Sequence, residues 1–187
     1  MLKLLGGALL VGSLAMLATP ASAQKKAAST ASGGYHHEFG VDFSAYYLKP
    51  SGGSGGIQMG VPVDVRLGIL SRSKLMFEPR LSFALSTVGT TIYTFVPGLN
   101  VLYQLKRGTG THNLIHAPYA TGGAALTVTK VGSSSATQFS LGGGVGTRVP
   151  YQNAAGRIEG FLAYTFKGGG FPSSFAIGTR IGLSFWH

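Results

Sequence analysis

Apolar and polar residues alternate one by one through most of the chain. In the clearest segment, Phe175–Phe185, large apolar residues occupy five of the six odd positions, whereas the even positions hold Ala, Gly, Arg, Gly and Ser. A period of two predicts β-strands, because successive side chains of a strand point to opposite faces. The same pattern predicts eight strands over His37–Leu48, Gly56–Leu70, Lys74–Ser86, Ile92–Leu105, Leu114–Thr129, Thr137–Val149, Arg157–Phe166 and Phe175–Phe185.

Short links rich in glycine, serine and proline separate these strands, as in Pro50–Gly53 and Gly168–Gly170. Such links carry turn chemistry and favour antiparallel pairing of successive strands. The segments are also long enough for the ~9–11 residues of a membrane-spanning strand. Pro62, Pro79 and Pro97 fall inside strands, and proline cannot donate a ladder hydrogen bond, so we expect bulges there.

The charged residues indicate which face of the sheet lies inside. Alternation alone fits both a soluble lipocalin-like barrel and a membrane barrel with its apolar face outward. All five acids and five of the arginines lie on the polar phase, and charges placed inside a barrel must be paired. We therefore predict a lumen network, with Arg180 facing Glu38 and Asp42. Its members are Glu38, Asp42, Asp64, Arg66, Glu78, Arg80, Arg148, Arg157, Glu159 and Arg180.

The remaining polar-phase residues are mostly Gly, Ser, Thr and Ala, which suits the narrow lumen of an eight-stranded barrel. Aromatic residues gather near both strand ends, as expected for girdles at two membrane interfaces. One girdle holds Tyr47, Tyr93, Phe139, Phe166 and Phe175, and the other holds Phe39, Tyr103, Tyr151, Phe185 and Trp186. The sequence thus favours an all-β, eight-stranded antiparallel up-and-down transmembrane β-barrel, with the soluble barrel as the alternative.

Composition narrows the choice further. The 187 residues contain no cysteine, which excludes a disulfide framework, a Cys-ligated zinc site and a lipidated N-terminal cysteine. The formal net charge is +10, but the chain has no basic stripe with interleaved aromatic residues, so we expect no nucleic-acid partner. The cations without matching acids lie near strand ends, where outer-membrane lipids and lipopolysaccharide would offer phosphates.

The N-terminus has the layout of a secretory signal peptide. A basic start is followed by the apolar run 4–18 and by the small-residue site Thr19–Ala23. We predict a signal peptide over 1–23, a flexible periplasmic lead-in over 24–36 and a barrel over 37–187. An uncleaved membrane anchor is the less favoured interpretation, because the apolar run is short.

Candidate chemistry is sparse. His36 and His37 precede Glu38, but adjacent strand residues point to opposite faces, which is poor metal geometry. Gly142–Gly146 opens no helix, so it does not predict a phosphate loop. No histidine–nucleophile–acid set lies near the outer rim, which disfavours a lipid-modifying enzyme. We expect no cofactor, no metal and no catalytic residues.

From about Tyr35 to His187 the chain resembles the small outer-membrane barrels of Gram-negative bacteria, of the OmpA/OmpX type. The eight alternating strands and the C-terminal segment carry the likeness, and Pro118–Tyr119 followed by Gly122–Gly123 adds to it. The resemblance implies an outer-membrane location, periplasmic termini and a C-terminal signal for the barrel-assembly machinery. That signal would comprise Ile181, Leu183, Phe185 and Trp186.

The resemblance specifies an architecture but no activity. We expect a monomer with a structural or envelope-maintenance role, its lumen plugged by Arg–carboxylate pairs. A narrow channel for small solutes is the alternative, and a lipid-modifying enzyme is a more distant one.

Overall fold

A computed structural model describes residues 37–71, 74–87, 91–105, 117–151 and 154–186, with the backbone alone for 60–62. The predicted signal peptide and lead-in lie outside the described residues, as do His36, His112, His116 and His187. Within the described ranges, no helix has both the length and the hydropathy needed to cross a membrane.

Eight antiparallel strands form one closed barrel in chain order. The alternation of the sequence explains this fold, because each strand keeps one large, apolar face and one small or polar face throughout its length. The strands are β1 (His37–Pro50), β2 (Gly56–Leu70), β3 (Leu75–Ser86), β4 (Ile92–Gln104), β5 (Tyr119–Val131), β6 (Ser134–Tyr151), β7 (Ala154–Thr165) and β8 (Ser174–Trp186).

The predicted up-and-down, eight-stranded topology is confirmed. The predicted start of β5 at Leu114 lies outside the described residues, and the structure begins this strand at Tyr119. The strand starts next to Pro118, which lacks a backbone N–H for the ladder. β6 begins three residues earlier than predicted, at Ser134, because a two-residue link joins it to β5.

The two ends of the barrel differ in their links. The terminal end contains His37 and Trp186, which start β1 and finish β8. The opposite end, here called the hairpin end, carries the β1–β2, β3–β4, β5–β6 and β7–β8 links. In three of these links the chain turns at glycines with positive φ, where other residues would be strained. These are Gly52, Gly132, Gly169 and Gly170.

The prolines behave differently from one another. Near Pro62 the β1–β2 register shifts between Phe43 and Ala45, which is the bulge we expected. The bulges expected at Pro79 and Pro97 are wrong, because the register is the same on both sides of each. Pro79 keeps its pairing with β4 and interrupts that with β2, while Pro97 pairs with β3 and interrupts β5. Each missing N–H therefore affects one neighbouring strand and leaves the other ladder intact.

The outer face of the barrel is apolar and the inner face is polar. Large hydrophobic side chains such as Val63, Phe83 and Leu183 are exposed on the outside. The five acids are buried on the inside, so the soluble lipocalin-like arrangement, with an apolar interior, does not describe this fold. Both predicted aromatic girdles have their side chains exposed on the outside, with one exception.

That exception is Trp186, whose placement in the outer girdle is wrong. Its side chain is 8% exposed and packs inside the terminal end with Met76, Leu102 and Tyr119. The strand period explains the error, because Trp186 shares its phase with the lumen-facing Ser184 and Arg180 rather than with Phe185. This small hydrophobic cluster, here called the terminal cluster, fills the terminal end of the lumen.

Candidate functional site in the lumen

The barrel interior next to this hydrophobic cluster is filled by ion pairs. Arg66 lies at the centre of the first group: its Nη1 is 2.5 Å from Glu38 Oε1, and its Nε donates to Asp42 Oδ2 at 2.9 Å. Its Nη2 donates to Ser184 Oγ at 2.7 Å. The three nitrogens of this guanidinium on β2 thus bind two other strands, β1 twice and β8 once. Arg66 is fully buried, so these contacts replace all of its hydration.

Arg157 organises the second group. Its Nη1 is 2.5 Å from Glu78 Oε2 and its Nη2 is 2.6 Å from Glu159 Oε2. Its Nε donates to the Tyr119 hydroxyl at 2.5 Å, and that hydroxyl donates to Glu159 Oε2 at 2.9 Å. A cation on β7 is thereby linked to an acid on β3 across the lumen, which leaves little space for solvent between the strands.

Arg148 connects the ion pairs to the terminal cluster. Its Nη2 is 2.8 Å from Glu38 Oε2 and its Nη1 donates to Gln104 Oε1 at 3.2 Å. Its guanidinium carbon lies 4.7 Å from the centre of the Tyr119 ring and 5.4 Å from that of Trp186. Cation–π contacts of this kind are favourable where water is excluded. The terminal end is therefore packed by both charge and aromatic contacts.

Arg80 and Asp64 mark the hairpin side of the network. Arg80 Nη2 donates to Asp42 Oδ2 at 2.9 Å and to Asp64 Oδ2 at 2.8 Å, and the Ser82 hydroxyl donates to Asp64 Oδ1. Both oxygens of the Asp64 carboxylate thus accept hydrogen bonds from neighbouring side chains.

Arg180 does not face Glu38 and Asp42, and that expectation is wrong. Its Nη1 donates to Glu159 Oε1 at 2.6 Å, and its Nε is 3.8 Å from Asp64 Oδ2. Two features of the register explain this. Glu159 pairs directly with Arg180, whereas the β1 partner of Arg180 is Ser44, six residues or about 20 Å along an extended strand from Glu38. Asp42 is instead bound by Arg66 and Arg80.

Glycines give the large lumen side chains their space. Gly40 pairs with Arg66, Gly182 with Asp42 and Gly146 with Tyr119. A Cβ on Gly40 would fall on the guanidinium of Arg66, and one on Gly182 would meet Asp42 Oδ1. The alternation of glycine and long polar residue across neighbouring strands therefore lets ten charged residues share a narrow barrel.

Replacing Gly40 with alanine is expected to lower the free energy of unfolding by about 1–3 kcal/mol, the usual cost of overpacking. Arg66 is held by three partners and cannot move away from an added methyl group. Gly156→Ala is the matched control, because its Cβ would meet only one atom, at 3.9 Å. Urea titration of the refolded variants measures both. Equal stabilities would mean that Arg66 does not occupy the place opposite Gly40.

A cavity of about 320 Å³ occupies the hairpin side of the lumen. Its upper walls include Leu48, Thr94 and Thr127, all within a few residues of hairpin links, and its floor includes Asp64, Arg80 and Arg180. We call this space the vestibule. Gln138 lies at its rim, where Nε2 donates to the carbonyl oxygens of Phe166 at 3.2 Å and Pro172 at 3.1 Å. These contacts fix the β7–β8 link at the mouth.

Sequence reasoning did not single out two aromatic residues of the vestibule, Tyr46 and Phe161. Their ring centres lie 6.1 Å apart in an edge-to-face contact, and the Arg180 guanidinium lies 3.9 Å from the centre of the Phe161 ring. Strand phase was the available signal, since Phe161 shares its parity with Glu159 and Arg157, and Tyr46 with Asp42. The described residues contain no group of three or more His, Cys, Asp or Glu side chains arranged to hold a metal ion.

The fold and the lumen together define a small eight-stranded barrel with an apolar exterior and an ion-paired interior. Neither a family model nor a curated protein matches the chain. Among solved structures, it is similar to the crystal structure of Neisserial surface protein A, with a TM-score of 0.61 and 13% identity over 83% of this chain and 99% of that one. It is also similar to the outer membrane protein OprG from Pseudomonas aeruginosa, with a TM-score of 0.50 and 14% identity over 83% of this chain and 98% of that one. Identities this low show the shared fold, and membership of the OmpA/OmpX type stays a prediction.

Proposed function

We propose that this protein is an integral outer-membrane barrel that maintains the cell envelope without catalysing a reaction. The observation that supports this most directly is that the outer face is apolar and the inner face is polar, the opposite of the arrangement in a soluble barrel. Exposed Phe, Leu, Ile and Val side chains surround a barrel whose acids are all inside. Water would make such an exterior aggregate, whereas hydrocarbon stabilises it and a closed barrel leaves no unpaired strand edge.

The ion-pair network supports the view that the lumen is plugged. Arginine nitrogens lie within 3 Å of the carboxylates of Glu38, Asp42, Glu78 and Glu159. Next to these ion pairs, the terminal cluster closes the terminal end of the lumen. An ion crossing the barrel would have to displace paired charges from one another in a poorly hydrated space. We therefore propose a barrel that does not conduct large solutes, rather than a porin.

Lipid phosphates are the proposed partners of the hairpin rim. Lys49, Lys130 and Lys167 are exposed near that end, while all five acids of the chain are buried in the lumen. Two of these lysines are paired with aromatic residues, Lys130 with Tyr93 and Lys49 with Phe175. Cations above an aromatic girdle suit the phosphates of lipopolysaccharide or phospholipid headgroups.

The proposed assembly signal lies on β8. Ile181, Leu183 and Phe185 are exposed on the outer face, where an assembly partner could contact them before closure. Trp186 is buried in the lumen, so its contribution would be to seal the finished barrel rather than to present a surface. The start of β1 and the end of β8 both lie at the terminal end of the barrel, and we propose that this end faces the periplasm.

Membrane insertion predicts a simple biochemical result. The folded protein should partition with detergent or lipid vesicles, and its gel mobility should change only after heating, because a closed barrel resists unfolding by cold dodecyl sulfate. Membrane fractionation of expressing cells, compared with a periplasmic marker, tests location. Recovery of a monodisperse folded protein without detergent would contradict the proposal.

The plugged lumen predicts no steady, large conductance in planar-bilayer recordings of the refolded protein. A porin of known conductance refolded in the same way serves as the positive control. Reproducible large openings that require no variant or denaturant would show that the ion pairs do not block the lumen.

A further inference from the structure

We propose that the vestibule is a binding site for a hydroxylated carboxylic acid of about monosaccharide size. This goes beyond a role in envelope structure, since it assigns a ligand to a part of the lumen that the ion pairs of the described residues leave open. The vestibule has a volume of about 320 Å³, at the lower limit of the range for small-molecule sites. The ion-paired network closes it below, so it is a blind cavity rather than a passage.

Arg180 supplies the group that would recognise a carboxylate. Its side chain is 21% exposed, compared with 8% or less for the other nine charged residues of the network. A guanidinium carries five N–H donors, and among the described residues Arg180 donates one hydrogen bond, from Nη1 to Glu159. Phe161 supports its flat face at 3.9 Å, which fixes the direction of the remaining donors.

Asp64, the acid beside Arg180 on the floor, is already bound by neighbouring side chains. Both oxygens of Asp64 already accept hydrogen bonds, from Ser82 and Arg80, and its side chain is 8% exposed. It is therefore poorly placed to bind the ammonium group of a zwitterion such as an amino acid. Because Arg180 has donors available while Asp64 is largely buried and already bound by Ser82 and Arg80, the floor favours a ligand with one negative charge.

The walls favour a ligand with several hydroxyl groups. Above the floor the polar lining is uncharged and consists of hydroxyl and carboxamide groups, including those of Thr94, Gln138, Ser140 and Thr165. These groups both donate and accept hydrogen bonds, as sugar hydroxyls do, so each can be paired in either direction. Gly123, Gly142 and Ala163 leave the width that a six-membered ring needs.

Calorimetric titration of the refolded protein in detergent tests the site with three probes. Glucuronate carries the carboxylate and the hydroxyls, glucose lacks the carboxylate, and cyclohexanecarboxylate lacks the hydroxyls. We expect glucuronate to bind at least about tenfold more tightly than either of the others, because charge-assisted hydrogen bonds contribute more than neutral ones. Equal affinities, or no binding of glucuronate at millimolar concentration, would overturn the proposal.

Two variants separate this site from general attraction of anions. Arg180→Gln should abolish the preference for glucuronate over glucose. Ala163→Leu should weaken the binding of both glucuronate and glucose, because the larger side chain would occupy the cavity. Lys130→Gln removes the same charge from the rim outside the vestibule and should leave the preference unchanged. Heat-modifiable mobility shows that each variant has folded. If Lys130→Gln removes the preference as fully as Arg180→Gln does, glucuronate binds to the surface and not to the vestibule.

Discussion

Replacing Ile181 with arginine is expected to lower the free energy of unfolding in lipid vesicles by about 2–4 kcal/mol, the cost of arginine near the middle of a membrane barrel. Ile181 lies midway along β8, pairs with Phe43 and Ile158, and is 60% exposed on the outer face. In hydrocarbon the new cation would lose its hydration, whereas in water it would lose nothing. The substitution therefore tests directly which medium surrounds the barrel.

Ile57→Arg is the matched control for this experiment. Ile57 has the same side chain on the same outer face, but it is the second residue of β2 and lies at the hairpin end. There the cost should fall to about 0–1 kcal/mol, because the arginine reaches the headgroups. Urea titrations in the same vesicles measure both variants. Equal and negligible costs at the two depths would exclude a hydrocarbon environment at Ile181.

The second large effect concerns the lumen. Arg157→Met is expected to cost about 3–5 kcal/mol, because it leaves Glu78 buried without its nearest cation and removes one of the two arginines that Glu159 contacts. Adding Glu78→Gln to this variant should recover part of the loss, since the double variant buries one charge fewer. Unfolding titrations of the single and double variants give the coupling directly.

Lys167→Met makes a comparable exchange of a cation for a methionine in the exposed β7–β8 link, and it should change stability by no more than about 0.5 kcal/mol. The comparison distinguishes a buried charge network from a solvated one. A cost below about 1 kcal/mol for Arg157→Met would show that water reaches the acids and that the lumen is not plugged by ion pairs.

The strand period gave reliable information about which residues share a face, and much less about depth or partners. Period two placed the acids and Arg180 on one side of the sheet, because parity survives small errors in strand boundaries. The pairing of Arg180 with Glu159 depends on register, which links and bulges determine. A shift at the Pro62 bulge, which no local pattern measures, changes every pairing beyond it.

The vestibule and the terminal cluster were beyond sequence reasoning for a related reason. Whether the lumen is filled at a given height depends on which of eight strands contributes a long side chain there. Gly40 opposite Arg66 and Gly146 opposite Tyr119 become meaningful only when the register is known. The position of Trp186 near a strand end predicts a place in the girdle, although its parity indicates the lumen.

The seam between β1 and β8 has a consequence for how the protein assembles. It joins the first and last strands through thirteen consecutive residue pairs, from Glu38 with Trp186 to Pro50 with Ser174. Contacts this distant along the chain form slowly, because the intervening loop must be ordered first. Ser184, which binds both Arg66 and Glu38, can reach them only when this seam closes. Completion of the charge network is therefore a late event, and a chain that stops before β8 should remain an open, protease-sensitive sheet.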